Sequence, residues 1–447
     1  MPKSAQILLS DHFTYGKLLR FTVPAMLMMV FTSIYSVVDG LFVSNFAGKT
    51  AFAALNLIFP FLMFLSIVGF IFATGGSALI AKTLGEGNPE KANRIFSMLV
   101  YAGALAGVLF AIIGWPLLDD ISRLLGADEA MVGDCVMYGR ILLAALPFFI
   151  LQIMFQTFMI TAERPRLSLA VTLVAGFLNM LLDLLLVGVL GFGLKGAAWA
   201  TAASQMVGGL IPLAYFLAPN GSRLRLGKPV FNGAALRQTC FNGLSEFFTN
   251  ISSTVVSMLY NYQLMKYIGE DGVAAFGIIM YLAFVFAAIM IGYSMGSAPI
   301  VSYHYGAGNR DELRNVFHKS MILIGSIGFA QFLLAQLLAH PLAHIFVSYD
   351  PSLLQLTTRA LRIYSVSFLL MGFNGYASAF FTALNNGVVS AVISTNRTLV
   401  CETLAVLLLP LLFGVDGIWF AIIFAECAAL ILTTAMLLKH RKRYGYA

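Results

Sequence analysis

The sequence predicts an all-α integral membrane protein, in which twelve transmembrane helices form two six-helix lobes. Of its 447 residues, 60% are hydrophobic and only 11% are charged, whereas a soluble domain is about 45–50% apolar and about 25% charged. The apolar residues run on for about 20 positions at a time, which is the length that a helix needs to cross a bilayer. The second half of the chain repeats short motifs of the first half.

The composition excludes several classes of protein. The charges are too few for the surface of a soluble enzyme or for a disordered chain, and the apolar runs do not alternate as the strands of an outer-membrane barrel do. Membrane topology accounts for the net charge of +7, so no nucleic-acid partner is expected. The four cysteines are widely spaced and predict neither a disulfide framework nor a zinc site.

Polar breaks divide the chain into twelve apolar segments, each of which we interpret as one membrane span. The connections between the segments are short, so they leave no room for a soluble domain. In chain order, the predicted spans are 17–40, 51–76, 96–118, 137–160, 167–190, 196–218, 239–266, 274–302, 316–338, 357–383, 388–412 and 417–438.

The distribution of basic residues predicts the orientation of the spans. When the N-terminus is placed in the cytoplasm, nineteen of the 27 Lys and Arg residues fall on the cytoplasmic side, seven fall on the outer side, and Arg397 lies within a span. Cytoplasmic loops of membrane proteins carry an excess of Lys and Arg. We therefore expect both termini in the cytoplasm, with the basic tail Lys439–Arg443 at the lipid headgroups.

An internal repeat relates the two halves of the chain. Gly76–Ala78 recurs 220 residues later as Gly296–Ala298, and the loop Gly85–Asn88 recurs 221 residues later as Gly306–Asn309. Six helices per copy is an even number, so both copies start from the same side of the membrane. Such parallel repeats are typical of transporters whose substrate binds between the halves. An old duplication without alternating access is the other interpretation.

The repeat also predicts the domain organisation. We expect an amino-terminal six-helix lobe at 1–218 and a cytoplasmic linker loop at 219–238. A carboxy-terminal six-helix lobe should follow at 239–447 and end in the basic cytoplasmic tail.

Several charged side chains fall inside the predicted spans. Each charge at mid-bilayer costs about 2.5–3.5 kcal/mol on insertion scales, so these groups must be neutral, paired, hydrated or bound to a cation. Intramembrane charges of this kind mark paths of ions or substrates. The residues are Asp39, Asp183, Glu246, Arg397, Glu402 and Glu426.

The first half offers a candidate cation site. Asn179 and Asp183 are four residues apart, so they share one face of a helix. An amide oxygen beside a carboxylate suits a hard cation or a bound proton, and Thr201 could add a hydroxyl; a helix-packing hydrogen bond is the alternative. Asp39 ends the first span, where a hydrated interface residue is the other interpretation. Pro24, fifteen residues earlier, predicts either a passive kink or a moving hinge.

The second half carries acids of its own. Glu246 lies in the seventh span, and Arg397 in the eleventh span can neutralise one of the neighbouring acids, so part of this set can be structural. The repeat does not align these acids with those of the first half, because Asp39 and Asp183 correspond to Tyr260 and Leu404. The two halves therefore differ where the chemistry is expected.

Taken together and in order, these motifs resemble the MATE (multidrug and toxic compound extrusion) family, and the similarity is greatest to its MepA-like bacterial branch. The resemblance covers essentially the whole chain. The residues that carry it are Pro24 with Asp39, Gly85–Asn88 with Gly306–Asn309, Asn179 with Asp183, Gly196–Ala198 before Thr201, and Glu246.

The resemblance implies a V-shaped, MATE-like fold and the export of lipophilic, often cationic, drugs or toxic compounds in exchange for H⁺ or Na⁺. It implies that Asp39, Asn179, Asp183 and Thr201 form a cation-coupling site in the amino lobe, which would also bind the metal ion if the coupling ion is Na⁺. Substrate binding is expected at Glu246, Asp39 and Asp183, and Pro24 is expected to act as the conformational hinge. No cofactor other than the coupling ion is implied.

The resemblance also predicts the setting and the partners. We expect a monomer in the bacterial cytoplasmic membrane, whose partners are small-molecule drugs or toxic organic cations and the lipid bilayer. Two alternatives remain. A flippase for a lipid-linked precursor would favour a basic cavity, and one intramembrane Arg against five acids counts against it. An intramembrane enzyme is disfavoured because no histidine pairs with a nucleophile at membrane depth.

Overall fold

The computed structural model describes residues 6–43, 46 and 48–447, and within these ranges the chain is almost entirely helical. The helices of the first half are α1 (Tyr15–Phe42), α2 (Lys49–Gly85), α3 (Pro89–Leu124), α4 (Glu129–Thr161), α5 (Pro165–Leu182), the π-helix π1 (Asp183–Val189) and α6 (Gly193–Leu217). Those of the second half are α7 (Gly233–Tyr267), α8 (Glu270–Gly306), α9 (Arg310–Val347), α10 (Pro351–Ser365), α11 (Phe368–Ala383), α12 (Gly387–Thr395), the π-helix π2 (Asn396–Glu402), α13 (Thr403–Phe413) and α14 (Val415–Tyr444).

The sixteen helices of the described residues group into twelve rods, six in each half, because α5 continues into π1, α12 continues through π2 into α13, and α10 and α11 form one bent rod. Among the described residues, ten rods are long and apolar enough to cross a membrane by length and composition alone. An eleventh is the pair α10 and α11, which is bent by 50°, and the twelfth is α7, which contains more Asn, Ser and Thr. The chain is thus a multi-pass helical membrane protein in two six-helix lobes.

The predicted span 357–383 proves to be broken. Between α10 and α11 the hydroxyl of Ser365 donates to the Arg362 carbonyl at 2.8 Å, and that of Ser367 donates to the Tyr364 carbonyl at 2.7 Å. Serine side chains that bond to nearby carbonyls compete with the helical ladder and favour bends. Hydrophobicity alone does not show this break, because the two pieces together are apolar enough to be taken for one span.

The internal repeat is visible in the loop geometry. Asn88 caps α3 by accepting from the backbone N–H of Lys91, and Asn309 caps α9 by accepting from that of Glu312, each at 3.0 Å. The loops after α4 and α11 each contain a non-glycine residue in the left-handed region, at Glu163 (φ 62°) and Asn385 (φ 57°). Equivalent positions 221 or 222 residues apart therefore adopt equivalent local structures.

The two lobes meet at one end of their helices. Gly85 at the end of α2 packs on the Tyr303 carbonyl of α8, and Gly306 at the end of α8 packs on the Lys82 carbonyl of α2. A Cβ atom at either glycine would overlap the facing backbone. In a neighbouring contact between α2 and α7, Gly243 lies against the backbone of Ile71. Small residues allow membrane helices to approach this closely.

The segment 6–14 lies across the same end and contacts both lobes. The Leu9 N–H donates to the Glu163 carboxylate of the amino lobe, and the Phe13 N–H donates to the Glu312 carboxylate of the carboxy lobe, each at 2.8 Å. Lys319 of the carboxy lobe donates to the Phe13 carbonyl at 2.7 Å. We call this segment the N-terminal strap, because it joins the lobes ahead of α1.

Candidate functional site

Four residues singled out in the sequence converge inside the amino lobe. Asp39 lies near the end of α1, Asn179 in the last turn of α5, Asp183 at the first residue of π1, and Thr201 in α6. The Asp39 side chain lies against those of Asp183 and Asn179. Thr201 lies beside Tyr138 of α4, which in turn faces both acids. The structure thus assembles one cluster from four helices.

Local backbone structure explains how Asp183 and Thr201 reach the cluster. A π-helix holds an extra residue per turn and is frequent at functional sites, and π1 begins at Asp183 itself. The backbone of α6 approaches π1 closely at Gly196. A Cβ atom added to Gly196 would lie about 3.0 Å from the carbonyl group of Leu186. Gly196–Ala198 therefore bring the first turns of α6 against π1, and the next turn of α6 carries Thr201, which lies beside Tyr138.

The oxygen atoms of this cluster lack hydrogen-bond partners. Asp183 is 0% exposed and Asn179 is 2% exposed, while Asp39 and Thr201 are half-buried. Among the described residues, no partner is found for five buried oxygens, namely Oδ1 of Asp39, Oδ1 of Asn179, both carboxyl oxygens of Asp183 and Oγ1 of Thr201. A hydrogen bond between Asp39 and Asp183 requires a proton on one of them. The two carboxyl groups therefore offer more acceptor oxygens than the neighbouring amide and hydroxyl groups satisfy.

Such a set of oxygens can hold a cation. Leaving a buried polar group without a partner costs about 1–3 kcal/mol, and more for a charged group. A proton shared between the two carboxyl groups would remove part of this cost, and hard metal cations also bind to carboxylate, amide and hydroxyl oxygens. Within the described ranges, no three His, Cys, Asp or Glu side chains come together as a metal cluster. A Na⁺ ion would thus depend on the neutral oxygens of Asn179 and Thr201 as well as on the two acids.

Two tyrosines at the cluster were not singled out from the sequence. Tyr138 is 2% exposed and faces Asp39 and Asp183 from α4. Tyr35 precedes Asp39 by one helical turn, and its hydroxyl lies in the field of that carboxyl group. The four-residue spacing could have identified Tyr35. No spacing rule points to Tyr138, because it lies on a different helix in an apolar stretch.

Glu246 lies apart from this cluster. It follows Gly243 by one turn of α7, so it is close to the end where the lobes meet, and it is half-buried. The helix α1 crosses α8 where Met26 contacts Gly292. Asp39 lies thirteen residues further along α1, which is about 20 Å at 1.5 Å per residue. The structure brings Asp39 and Asp183 together and leaves Glu246 near the base of the space between the lobes.

Glu426, a buried acid within the membrane-spanning part of the carboxy lobe, is neutralised. Glu426 is 1% exposed, and its carboxylate accepts from Nε and Nη2 of Arg397 and from Nδ2 of Asn374, each at 2.7 Å. Arg397 therefore pairs with Glu426 and neutralises its charge. Glu402 ends π2, where it is half-buried and lies beside the Tyr260 hydroxyl. Each lobe thus presents an acid from a π-helix, and the difference is that Glu402 lies near the paired charges of Arg397 and Glu426, whereas no cation is paired with Asp39 and Asp183 among the described residues.

Pro24 lies in the interior of α1, which runs without a break from Tyr15 to Phe42. It is buried beside the crossing of α1 and α8, where Gly292 contacts the backbone of Ala25 and Met26. Proline removes one hydrogen bond of the helical ladder, so this is the position where α1 bends most easily. A role as a moving hinge stays a prediction.

Comparison with known proteins gives a consistent result. The family model MatE matches residues 24–185 and 247–434. The multidrug export protein MepA of Staphylococcus haemolyticus is 26% identical over 435 residues, which cover 96% of this chain and 94% of that protein. MepA of Staphylococcus aureus is 23% identical over 432 residues, with the same coverage.

Solved structures show the same architecture. One is described as the outward-facing conformation of a multidrug resistance MATE family transporter of the MOP superfamily. It superposes with a TM-score of 0.93 at 22% identity and covers 99% of both chains. At this identity the similarity demonstrates the fold, including its two lobes.

Proposed function

The chain belongs to the MatE family, and from this we propose that it is a secondary active antiporter that exports lipophilic, often cationic, drugs or toxic compounds in exchange for H⁺ or Na⁺. Its family and its membrane-spanning helices make it a transporter and not an enzyme. The relatives named MepA are multidrug export proteins. Drug-like organic cations are therefore the substrate class that we propose for this chain.

The five unpartnered oxygens of Asp39, Asn179, Asp183 and Thr201 carry the proposal of ion coupling. Two buried carboxyl groups whose oxygens lack partners are unfavourable unless a proton or another cation compensates them. A coupling ion and a cationic drug would both be attracted to these charges, so each would favour a different state of the lobes. A bound ion or drug can shift the equilibrium between the two states of the lobes only to the extent that its affinities for those states differ.

The driving force limits what such a transporter can achieve. Moving one charge through 100 mV provides about 2.3 kcal/mol, and about 1.4 kcal/mol corresponds to a tenfold gradient. One coupled charge therefore supports a drug gradient of less than about a hundredfold from the membrane potential. A pH or Na⁺ gradient would add to it.

The pairing of Arg397 with Glu426 counts against a flippase for lipid-linked anionic precursors. Arg397 is the basic residue that the sequence places inside a span, and both of its bonded nitrogens are taken by Glu426. A phosphate-bearing headgroup would need an uncompensated cation in the cavity. We therefore favour export of cationic compounds.

Ethidium export tests the proposal in inverted membrane vesicles, where export carries the drug into the lumen, with the pH gradient and the Na⁺ gradient imposed separately. We expect one of the two gradients to drive efflux by the native chain, and Asp39→Asn and Asp183→Asn each to abolish the driven component. Asp120→Asn, at an exposed position near the end of α3, is the matched control and should transport normally. Unchanged driven efflux in both site variants would remove these acids from coupling.

We also propose that the chain lies in the bacterial cytoplasmic membrane with both termini inside, and that it acts as a monomer. In this orientation the end where the lobes meet faces the cytoplasm, and the Asp39–Asp183 cluster lies nearer the outer side. Labelling of single cysteines with an impermeant maleimide in whole cells tests the orientation. A cysteine at Tyr349 should react, and one at Glu90 should not.

A further inference from the structure

A groove opens on the outer surface of the amino lobe, away from the candidate ion site. Its volume is about 450 Å³, and it lies between the end of α3, the first half of α4 and the start of α6. The residues that line it are Asp119, Val132, Gly133, Val136, Met137, Arg140, Ile141, Lys195 and Trp199.

Two cationic side chains converge on this groove. Arg140 and Lys195 are both exposed, and within the part of the chain that the structure describes no carboxylate lies within 4.0 Å of either. The Arg140 guanidinium lies over the ring of Trp115, 5.8 Å from its centroid. Asp119 also lines the groove; its carboxylate accepts from Nε of Arg123 at 2.9 Å, and Arg123 is shared with Glu129. With two cations against one carboxylate, the lining of the groove carries a net positive charge.

The remainder of the lining is apolar, and most of it is partly exposed. Val132, Val136 and Arg140 follow one another at four-residue intervals, so they form one stripe along α4. Trp199 follows Lys195 by one turn of α6 and is 53% exposed. Tryptophan is enriched at the membrane–water interface, where its ring is apolar and its N–H reaches the headgroups.

We propose that this groove binds an anionic phospholipid of the bilayer, with its phosphate between Arg140 and Lys195 and its glycerol and upper acyl chain against the apolar stripe and Trp199. A soluble anion would use the two cations but not the apolar lining. A neutral lipid would use the lining but not the cations. A phospholipid with a net negative charge matches both features and reaches the groove from the bilayer.

The groove is coupled to the candidate ion site through shared helices. Tyr138 precedes Arg140 by two residues on α4, and Thr201 follows Trp199 by two residues on α6, so each pair points to opposite sides of its helix. Tyr138 and Thr201 face the Asp39–Asp183 cluster. A lipid bound across α4 and α6 would hold these two helices together behind the cluster. The binding proposal itself does not depend on the proposed transport function.

Native mass spectrometry of the purified full-length protein tests the binding. The detergent-solubilised chain is titrated with dioleoylphosphatidylglycerol, with dioleoylphosphatidylcholine and with inorganic phosphate. We expect one tightly retained phosphatidylglycerol, weaker retention of phosphatidylcholine, and no displacement of the lipid by phosphate. Arg140→Gln and Lys195→Gln should each weaken phosphatidylglycerol binding about fivefold, since each removes one charge near the headgroup.

Lys266→Gln is the matched control, because Lys266 is also exposed and also contacts an aromatic ring, that of Tyr267 at 5.5 Å, but it lies on α7 of the other lobe. It should leave lipid binding unchanged. Arg140→Lys keeps the charge and should restore most of the affinity, which separates loss of charge from misfolding. Equal retention of the two lipids, equal losses in Arg140→Gln and Lys266→Gln, or displacement of the lipid by phosphate would each overturn the proposal.

Discussion

Asp183 and Glu426 are both buried carboxyl groups in membrane-spanning helices, yet their surroundings are opposite. Both oxygens of Asp183 lack a partner among the described residues, whereas Glu426 accepts hydrogen bonds from Arg397 and Asn374. The charge of a buried carboxylate that accepts from paired donors is already compensated. A buried carboxylate without such donors needs a proton or another cation to compensate its charge. This contrast separates the candidate functional acid from the structural one.

The pairing of Arg397 with Glu426 predicts a large loss of stability in Arg397→Met. This change leaves Glu426 buried with only the Asn374 amide as donor, and removal of one partner of a buried pair costs about 3–5 kcal/mol. The double variant Arg397→Met with Glu426→Gln should recover most of the loss, because no charge remains. Thermal unfolding in detergent, followed by tryptophan fluorescence, provides the measurement.

The exposed ion pair of Arg359 and Asp416, at 2.8 Å, provides the comparison. Arg359→Met should cost less than about 1 kcal/mol, since exposed pairs contribute little. Similar melting temperatures for Arg397→Met and Arg359→Met would show that the buried pair does not stabilise the carboxy lobe.

At the level of the helices, the two π-helices mark where the lobes differ from regular bundles. π1 begins at Asp183 and π2 ends at Glu402, so each one presents an acid. A π-helix changes the direction in which the following side chains point. Hydrophobic periodicity does not reveal this change, because span 167–190 is apolar on nearly all sides and the charged residues of span 388–412 fall within π2 itself.

The close contact of α2 with α8 predicts that Gly85→Ala separates the lobes at this end. The added methyl group would overlap the Tyr303 carbonyl, and overpacking of this kind costs about 1–3 kcal/mol. We expect a lower melting temperature and a longer distance between spin labels at the exposed positions Lys91 and Arg314, measured by pulsed electron paramagnetic resonance.

Gly277→Ala is the matched control for this prediction. Gly277 lies in the interior of α8, and nothing would lie within 4 Å of the added Cβ. Alanine at such a position should stabilise the helix by about 0.5–1 kcal/mol. If Gly85→Ala behaves like Gly277→Ala, the lobes are not held by this contact.

In the whole molecule, the lobes are joined at one end by the glycine contacts and by the N-terminal strap. Glu163 of the amino lobe holds the strap through the Leu9 N–H and lies 3.6 Å from the Arg223 guanidinium of the linker. Burial of its carboxyl group raises the pKa of Glu163 above its usual value, although the Leu9 N–H and the Arg223 charge act in the opposite direction. The folded protein thus binds a proton here more tightly than the unfolded chain does.

This raised pKa predicts a pH-dependent term in stability. The stability that protonated Glu163 contributes is complete below the pKa of about 4.3 that a glutamate has in the unfolded chain. This stability is lost as the pH rises through the higher pKa of Glu163 in the folded protein. Glu163→Gln retains the acceptor oxygen for Leu9 and cannot ionise, so its melting temperature should depend less on pH between about 4 and 7. Glu90→Gln, at an exposed position, should match the native chain, and equal pH slopes for all three would contradict the prediction.

Much of the fold could be predicted from the sequence, because a bilayer allows few solutions. Continuous apolar runs must form helices there, since every backbone polar group has to be bonded within the segment. The two-lobe repeat followed from motifs such as Gly85–Asn88 and Gly306–Asn309, and the family resemblance is confirmed by the MatE match. For the candidate site, the four-residue spacing of Asn179 and Asp183 already placed both on one helix face.

The family resemblance implied that Asp39 and Asp183 share a site, but only the tertiary structure showed how the intramembrane charges pair. Asp39 meets Asp183, Arg397 meets Glu426, and Tyr138 joins the first pair from a separate helix. The sequence by itself determined the helices, their number and the presence of buried charge, because these depend on local composition and on the solvent. It could not determine the pairing, because contacts between helices depend on how their side chains pack and on the register that π1 and π2 impose.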